Sequence, residues 1–123
     1  MFIGDYESLA KENTNFRKVL NTTDHSQVVA MCLTAGEDIG EETHPSNDQI
    51  FLIAEGSGEV MIDGESKPVE EDMIVVVPAG HNHNVTNTGS EELQLLTIYA
   101  PAAHPDGTVH PTKADAMAAK ESQ

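Results

Sequence analysis

The chain has 123 residues, 21 of them acidic against 6 Lys plus Arg, for a formal net charge of -15. That length suits one domain with one moderate core, and so acidic a surface repels phosphate backbones and anionic lipid, which removes nucleic acid and membrane from the expected partners. Only 4% of residues are aromatic, so the core must rest on Val, Ile, Leu, Met and Ala, and solubility in a salty interior or habitat is the plain reading of the charge.

Residues 1–24 read as an N-terminal arm. Its opening, MFIGDYESLAKEN, is too polar for a secretory signal, and no apolar run approaches membrane-spanning length. Cys32 is the sole cysteine, so no intrachain disulfide can form, and a cytoplasmic location is expected. Asp5 is placed to cap a short helix through Lys11, with Tyr6 and Leu9 on one side, and Asn13–Asn15 breaks it. Phe16, Val19 and Leu20 then offer apolar side chains to a core or to a partner subunit, before a turn at Asn21–Asp24. His25 has no companion at ligand spacing and reads as a turn histidine.

The segment Gln27–Leu33, QVVAMCL, is nearly continuous in apolar character, as a strand covered on both faces would be. Cys32 within it reads as a small buried hydrophobe, since no base is placed beside it. Residues 35–40 make a turn feeding a short strand that bears Glu42 and His44; two apart, these side chains would leave the same face. Gln49–Glu55 is the next strand, with Phe51 and Ile53 on one face and Ile50, Leu52 and Ala54 on the other. Gly56 and Gly58 bracket a tight turn in which a side chain at either position would clash. Asp63-Gly64 is a two-residue hairpin turn between Val60–Ile62 and Glu65–Lys67, and Pro68 confines its strand to an edge or an end. Glu70–Asp72 reads as a solvated turn rather than a Ca²⁺ loop.

Met73–Val77, MIVVV, is predicted to be the most strongly buried strand. Pro78-Ala79-Gly80 ends it, His83–Asn87 follows, and a turn at Thr88–Ser90 leads into Leu93–Tyr99. That makes about eight short strands with turn signals between them, the pattern of a β-sandwich or barrel. Residues 101–111 carry too many prolines and glycines for regular structure. Thr112–Asp115 reads as a capping box that opens an alanine-rich helix to Lys120.

Two stretches carry the chemistry. Residues 36–58, GEDIGEETHPSNDQIFLIAEGSG, offer Glu42, His44 and Gln49, and residues 75–87, VVVPAGHNHNVTN, add His83. A carboxylate, two imidazoles and an amide oxygen converging from separate strands would make a divalent-metal shell. The first stretch resembles the cupin motif G-x5-H-x-H-x3,4-E-x6-G, and the second resembles its companion P-x-G-x2-H-x3-N. Pro78, Gly80, His83 and Asn87 stand where the family has them, His44 takes the second histidine position, and Gly56 closes the first motif. Glu42 replaces the usual first histidine and Gln49 the usual glutamate. The resemblance spans roughly residues 27–100 and implies an all-β cupin double-stranded β-helix, a jelly-roll barrel. The barrel would occupy 25–100 of a single domain, with the arm before it and a C-terminal tail, 101–123, after it.

The resemblance also implies a function. The usual cupin shell is three neutral imidazoles and one carboxylate; here Glu42 supplies the anion beside neutral His44, His83 and Gln49, so the two departures cancel in charge. Mn²⁺, Fe²⁺, Co²⁺, Ni²⁺ and Zn²⁺ all suit such mixed ligation, with affinity lowered by the amide. Open positions on the ion would take oxygens of a small substrate. Similarity to mannose-6-phosphate isomerase-like cupins implies Lewis-acid isomerase or epimerase chemistry, with an Fe²⁺-dependent dioxygenase and a non-catalytic binding or sensing module as alternatives. Arg17, the only arginine, leaves few clamps for a phosphate. His81 is open as a donor behind the ligands, a replacement ligand or an exposed rim residue. Tyr99 is a packing residue or an acid near the ion, and His104 an acid–base near pH 7 if the tail folds over the barrel mouth. A homodimer is expected from the same resemblance.

Overall fold

Asp5 starts the first regular element. Its carboxylate accepts from the Ser8 N–H at 3.1 Å, which satisfies an otherwise free donor at the head of α1 (Tyr6–Lys11). The computed structural model describes residues 1–121, so the last two residues of the expected tail lie outside the described residues. The strands follow as β1 (Arg17–Thr22), β2 (Gln27–Leu33), β3 (Asp48–Glu55), β4 (Ser57–Ile62), β5 (Glu65–Glu70), β6 (Ile74–Val77), β7 (His83–Thr86), β8 (Leu93–Ala100) and β9 (Val109–His110), before α2 (Lys113–Glu121). They form a six-stranded sheet, β6-β3-β8-β2-β1-β9, and a three-stranded sheet, β5-β4-β7, both antiparallel. This is the expected jelly-roll fold with a short helix at each end.

Period-two alternation builds two apolar layers. Val29, Met31 and Leu33 of β2, Phe51 and Ile53 of β3, and Leu93, Leu95 and Tyr99 of β8 point between the sheets, where they meet Val60, Val69 and Val85. The opposite faces of β2, β3 and β8 pack Ala30, Ala54 and Leu96 under α1, whose Ala10 lets the helix approach closely. Coverage on both sides explains why QVVAMCL lacks alternation.

Local chemistry sets the turns as expected. Asp63 and Gly64 take φ values of 50° and 84° in the β4–β5 hairpin, and β5, with Pro68, is an edge strand. At α2 the capping box closes reciprocally: the Thr112 N–H donates to Asp115 Oδ2 at 3.1 Å, and the Asp115 N–H to Thr112 Oγ1 at 3.2 Å.

Four segments differ from expectation. Residues 17–22, expected as irregular arm, pair with β2 as a strand, and Phe16 and Val19 are only 3% and 7% exposed within the chain's own core. They are therefore not free to meet a partner subunit. Residues 109–110 add a strand outside β1, although prolines and a glycine precede them. Glu42 and His44 sit on no strand: residues 34–47 form a loop held by isolated bridges Asp38↔Thr86 and Glu42↔His83. Finally, MIVVV is not the most buried strand. β6 bonds only to β3 and ends the large sheet; Met73, Ile74 and Val76 are 41%, 62% and 55% exposed while Val77 points inward. A continuous apolar run states what a strand could bury, not which faces the fold covers.

Candidate functional site

Register brings the polar residues of the barrel interior together. Gln49, the first inward residue of β3, lies directly across from Tyr99 of β8, and Tyr99 in turn faces Gln27 of β2. His83 opens β7 on the opposing sheet. The loop 34–47 folds back so that the Glu42 and His83 backbones exchange two 2.9 Å hydrogen bonds, and the Gly80 N–H donates to the His44 carbonyl at 2.8 Å. Gly80 takes a φ of +87°, which lets the Pro78-Ala79-Gly80 turn make that approach.

All four residues expected as ligands meet in this region. His83 Nε2 is 2.9 Å from Gln49 Oε1, and His44 Nε2 is 2.8 Å from Glu42 Oε2. The His44 and His83 ring centroids are 5.6 Å apart. His83 Nδ1 faces the His81 carbonyl at 3.1 Å, and because a carbonyl only accepts, this nitrogen carries the hydrogen. In the neutral ring, Nε2 then presents a lone pair to another acceptor, Gln49 Oε1. Three arrangements resolve that conflict: a second proton on the ring, so that Nε2 donates to the amide oxygen; the amide turned over so that its NH₂ donates; or a cation taking both lone pairs. The second pair carries the same signature. His44 Nε2 is buried without a hydrogen-bond partner although Glu42 lies at ion-pair distance, so the contact is not aligned as a hydrogen bond. Burial works to raise the Glu42 carboxyl, but His44 beside it and the more distant Arg17 outweigh this and hold it below its usual value. Among the described residues no three His, Cys, Asp or Glu side chains are gathered closely enough to hold a metal ion, so Glu42, His44 and His83 lie near one another without forming a closed set of ligands.

The remaining candidates take distinct places. Tyr99 is 1% exposed, stands edge-on to His44 with ring centroids 5.5 Å apart, and burial pushes its phenol further up, so it keeps its proton. The tail does fold over the mouth: the buried Gln27 amide donates to the His104 carbonyl at 2.7 Å and accepts from the Ala103 and His104 N–H groups. His104 Nε2 thereby comes to 3.4 Å from the Tyr99 hydroxyl. Burial, helped by Arg17, pushes His104 down to about 4, so it is neutral at pH 7 rather than an acid–base poised there. His81 is an exposed rim residue, its Nδ1 2.5 Å from Asp63 Oδ2, and its contribution to the site is the backbone carbonyl behind His83. Asn87 of the second motif is structural, its amide donating to the Leu33 and Glu91 carbonyls. Cys32 donates to Glu92 at 3.1 Å, and burial pushes its thiol up to about 12, which leaves no thiolate for nucleophilic attack.

Glu42, His44 and His104 open onto a cavity of about 790 Å³, walled by Phe16 and Arg17 of the first strand region, by His110, and by α2 through Ala116 and Lys120. Gln49 and His83 lie buried behind it. A separate cleft of about 480 Å³ is lined by Glu70, Glu71 and Glu91 and by small residues, with no imidazole or cation. Sequence reasoning passed over Gln27, Thr97, whose hydroxyl accepts from the Gln49 amide at 3.0 Å, and the placement of Arg17 inside the barrel. The spacing of Arg17 and Val19, two apart on a short strand, was the available signal.

The chain is similar to known proteins over nearly its whole length. It is 48% identical over 127 residues to the uncharacterized protein YrkC of Bacillus subtilis, covering 98% of this chain and 68% of that one. It is 39% identical over 103 residues to the uncharacterized protein L612 of Acanthamoeba polyphaga mimivirus, of which the match spans 64%. The crystal structure of BH2720 from Bacillus halodurans superposes with a TM-score of 0.93 at 46% identity, covering 95% of this chain and 93% of that one. With the cupin domain model matching residues 29–99, across both motif stretches and the strands between them, this chain belongs to the cupin family.

Proposed function

We propose that this protein binds a divalent metal ion through Glu42, His44, Gln49 and His83 and acts on a small oxygenated substrate in the adjoining cavity by isomerase-like Lewis-acid chemistry. The observation that carries this reading is the pair of unresolved donor contacts. Two ligands at about 2.1 Å on adjacent positions of one ion stand about 3 Å apart, close to the 2.9 and 2.8 Å found for the two pairs. Two imidazoles on one ion put their ring centroids roughly 5 Å apart, near the 5.6 Å between His44 and His83. The donor set is mixed nitrogen and oxygen with one carboxylate, which suits Mn²⁺, Fe²⁺, Co²⁺, Ni²⁺ or Zn²⁺. When bound, such an ion would polarise a substrate carbonyl or hydroxyl. The chain's own groups would do the rest: the His81 carbonyl holds the His83 ring in one tautomer, Tyr99 holds the His44 ring edge-on, and the tail and α2 narrow access of water to the mouth.

Elemental analysis of purified protein tests the reading. A stoichiometric divalent ion is expected in the wild type and its loss in His44→Ala, with chelation also removing stabilisation of about 2.7 kcal/mol when the ion stands at a hundred times its dissociation constant. An equal ion content in wild type and variant would rule the site out. Ketose–aldose interconversion by protein loaded with a redox-inert ion supports isomerisation; O₂ consumption with iron would replace it by oxygenation, and retention of ligand without product by a binding role.

The second copy expected of a small cupin has a surface to meet. Met73, Ile74 and Val76 leave an apolar stripe on the unpaired edge of β6, and such an edge invites pairing with another strand. A homodimer through this edge predicts twice the 13.2 kDa chain mass by light scattering at micromolar concentration, and the single-chain mass for Ile74→Lys with unchanged circular dichroism. A wild-type monomer would contradict it.

A further inference from the structure

Arg17 is the charge that the fold leaves unanswered. It is the only arginine of the chain and is 6% exposed, pointing inward from β1 on the same face as Val19. A guanidinium taken out of water ordinarily meets a carboxylate, because an unpaired buried charge is costly. No ion pair among the described residues includes it. Its Nε is buried without any hydrogen-bond partner, Nη1 has only His110 Nδ1 at 3.4 Å, and Cζ lies 5.3 Å from the Phe16 ring centroid. Glu42, whose carboxyl senses this cation, is already in contact with His44. The guanidinium lines the cavity at the barrel mouth.

We propose that Arg17 anchors the carboxylate of the substrate: the cavity takes a small organic monoanion, a hydroxy or keto acid, whose carboxylate accepts from the guanidinium while its neighbouring oxygen reaches toward Glu42 and His44. The planar fork of an arginine matches a carboxylate in two parallel hydrogen bonds. The proposal names the substrate class of the site described above and rests on that reading for the ligand's orientation; the anchoring itself needs Arg17 alone. Charge decides between carboxylate and phosphate. A phosphate ester brings nearly two negative charges, against one unpaired guanidinium in a cavity that also exposes Glu41 and Glu42. Lys113 is spent on Asp38, and Lys120 stands exposed at the rim. In a chain with a net charge of -15, an anionic substrate is repelled from most of the surface, so a cation held inside the mouth gives it one place to bind.

The test is calorimetric titration of metal-stripped and Mn²⁺-loaded protein with glycolate, lactate and gluconate, with erythritol as the neutral control and inorganic phosphate as the dianion. Saturable binding of hydroxy acids is expected in both forms, with neither control binding comparably. Arg17→Lys should weaken it about tenfold or more, and Arg17→Met should abolish it. The ligand-free Arg17→Met protein should melt no lower than wild type, since an uncompensated buried charge is removed; a lower melting temperature would assign Arg17 to packing and overturn the proposal. Phosphate binding as tight as the acids, acid binding that survives in Arg17→Met, or no acid binding by wild type would each overturn it as well. Failure of the metal reading would register separately, as stripped and Mn²⁺-treated protein that bind the acids alike and hold no ion.

Discussion

Gly56→Ala is expected to destabilise the fold by about 4 kcal/mol, combining the cost of a side chain at positive φ with that of overpacking. Gly56 has a φ of +93°, and a Cβ there would stand 2.6 Å from the Glu92 carbonyl oxygen and 3.1 Å from Leu93 Cα. Both obstacles are backbone at the entrance to β8, a strand bonded on both edges, so neither can step aside cheaply. Gly58→Ala separates the two causes. Its φ is ordinary, but a Cβ would meet the Thr86 carbonyl oxygen at 2.4 Å and Leu93 Cδ2 at 2.9 Å, and overpacking alone predicts about 2 kcal/mol. Gly64→Ala supplies the converse, with a φ of +84° and open space, at about 1 kcal/mol. Urea unfolding of the three variants measures the order. If Gly56→Ala loses no more than Gly64→Ala, the close approach of β3–β4 to β8 is not what requires glycine. Against a domain stability of about 5–15 kcal/mol, the Gly56 loss is a large fraction.

Acid sensitivity should trace in large part to His104. Its ordinary value is 6.5 and its folded value about 4. Above pH 6.5 the ring is neutral whether the chain is folded or not, and below about 4 it is protonated in both states. Between these limits the unfolded chain takes up the proton first, so stability is full above 6.5 and drains away as pH falls through the window. At 1.36 kcal/mol per pKa unit, the loss reaches about 3 kcal/mol. Arg17, His44 and His110 oppose the charged ring, Glu42 favours it, and burial is the largest influence. The difference in unfolding free energy between wild type and His104→Asn should therefore change across pH 6.5 to 4, in favour of the variant at low pH. A difference that stays flat would mean that the tail leaves the mouth before the ring titrates.

Where local chemistry decides structure, the sequence was readable. Asp63-Gly64 demanded a hairpin, Thr112 and Asp115 a capped helix, and Pro78-Ala79-Gly80 a turn that throws His83 inward. The convergence of Glu42, His44, Gln49 and His83 was legible from the two motifs, though the first pair arrives on a bridged loop and not on a strand. What escaped depended on partners remote in sequence. β1 begins with Arg17-Lys18, charges that conceal an inward position because nothing local says that a cation will be buried. Residues 109–110 become a strand only because β1 offers them an edge. Ile74 and Val76 are exposed because they lie on the outer face of the large sheet, which α1 covers over β2, β3 and β8, a property of tertiary packing that no run of five apolar residues encodes. His104 is acidified by burial under its own tail, and Gln27, which ties that tail down, reads in sequence as one more polar strand start.

The transverse row Gln27, Tyr99 and Gln49 runs across β2, β8 and β3, with β8 at its centre. A strand zipped on two sides has its alignment set twice over, so this row is held as firmly as any part of the molecule. Glu42 and His44, by contrast, ride on a loop fastened at a few points. Of the proposed donors, Gln49 is thus fixed before any ion arrives, His83 is held by the pairing of β7 with β4, and Glu42 and His44 must give up freedom to close around the ion. Affinity in this cupin would then be tuned through the stiffness of residues 34–47, and a change there could weaken or tighten the grip without disturbing the barrel that carries it.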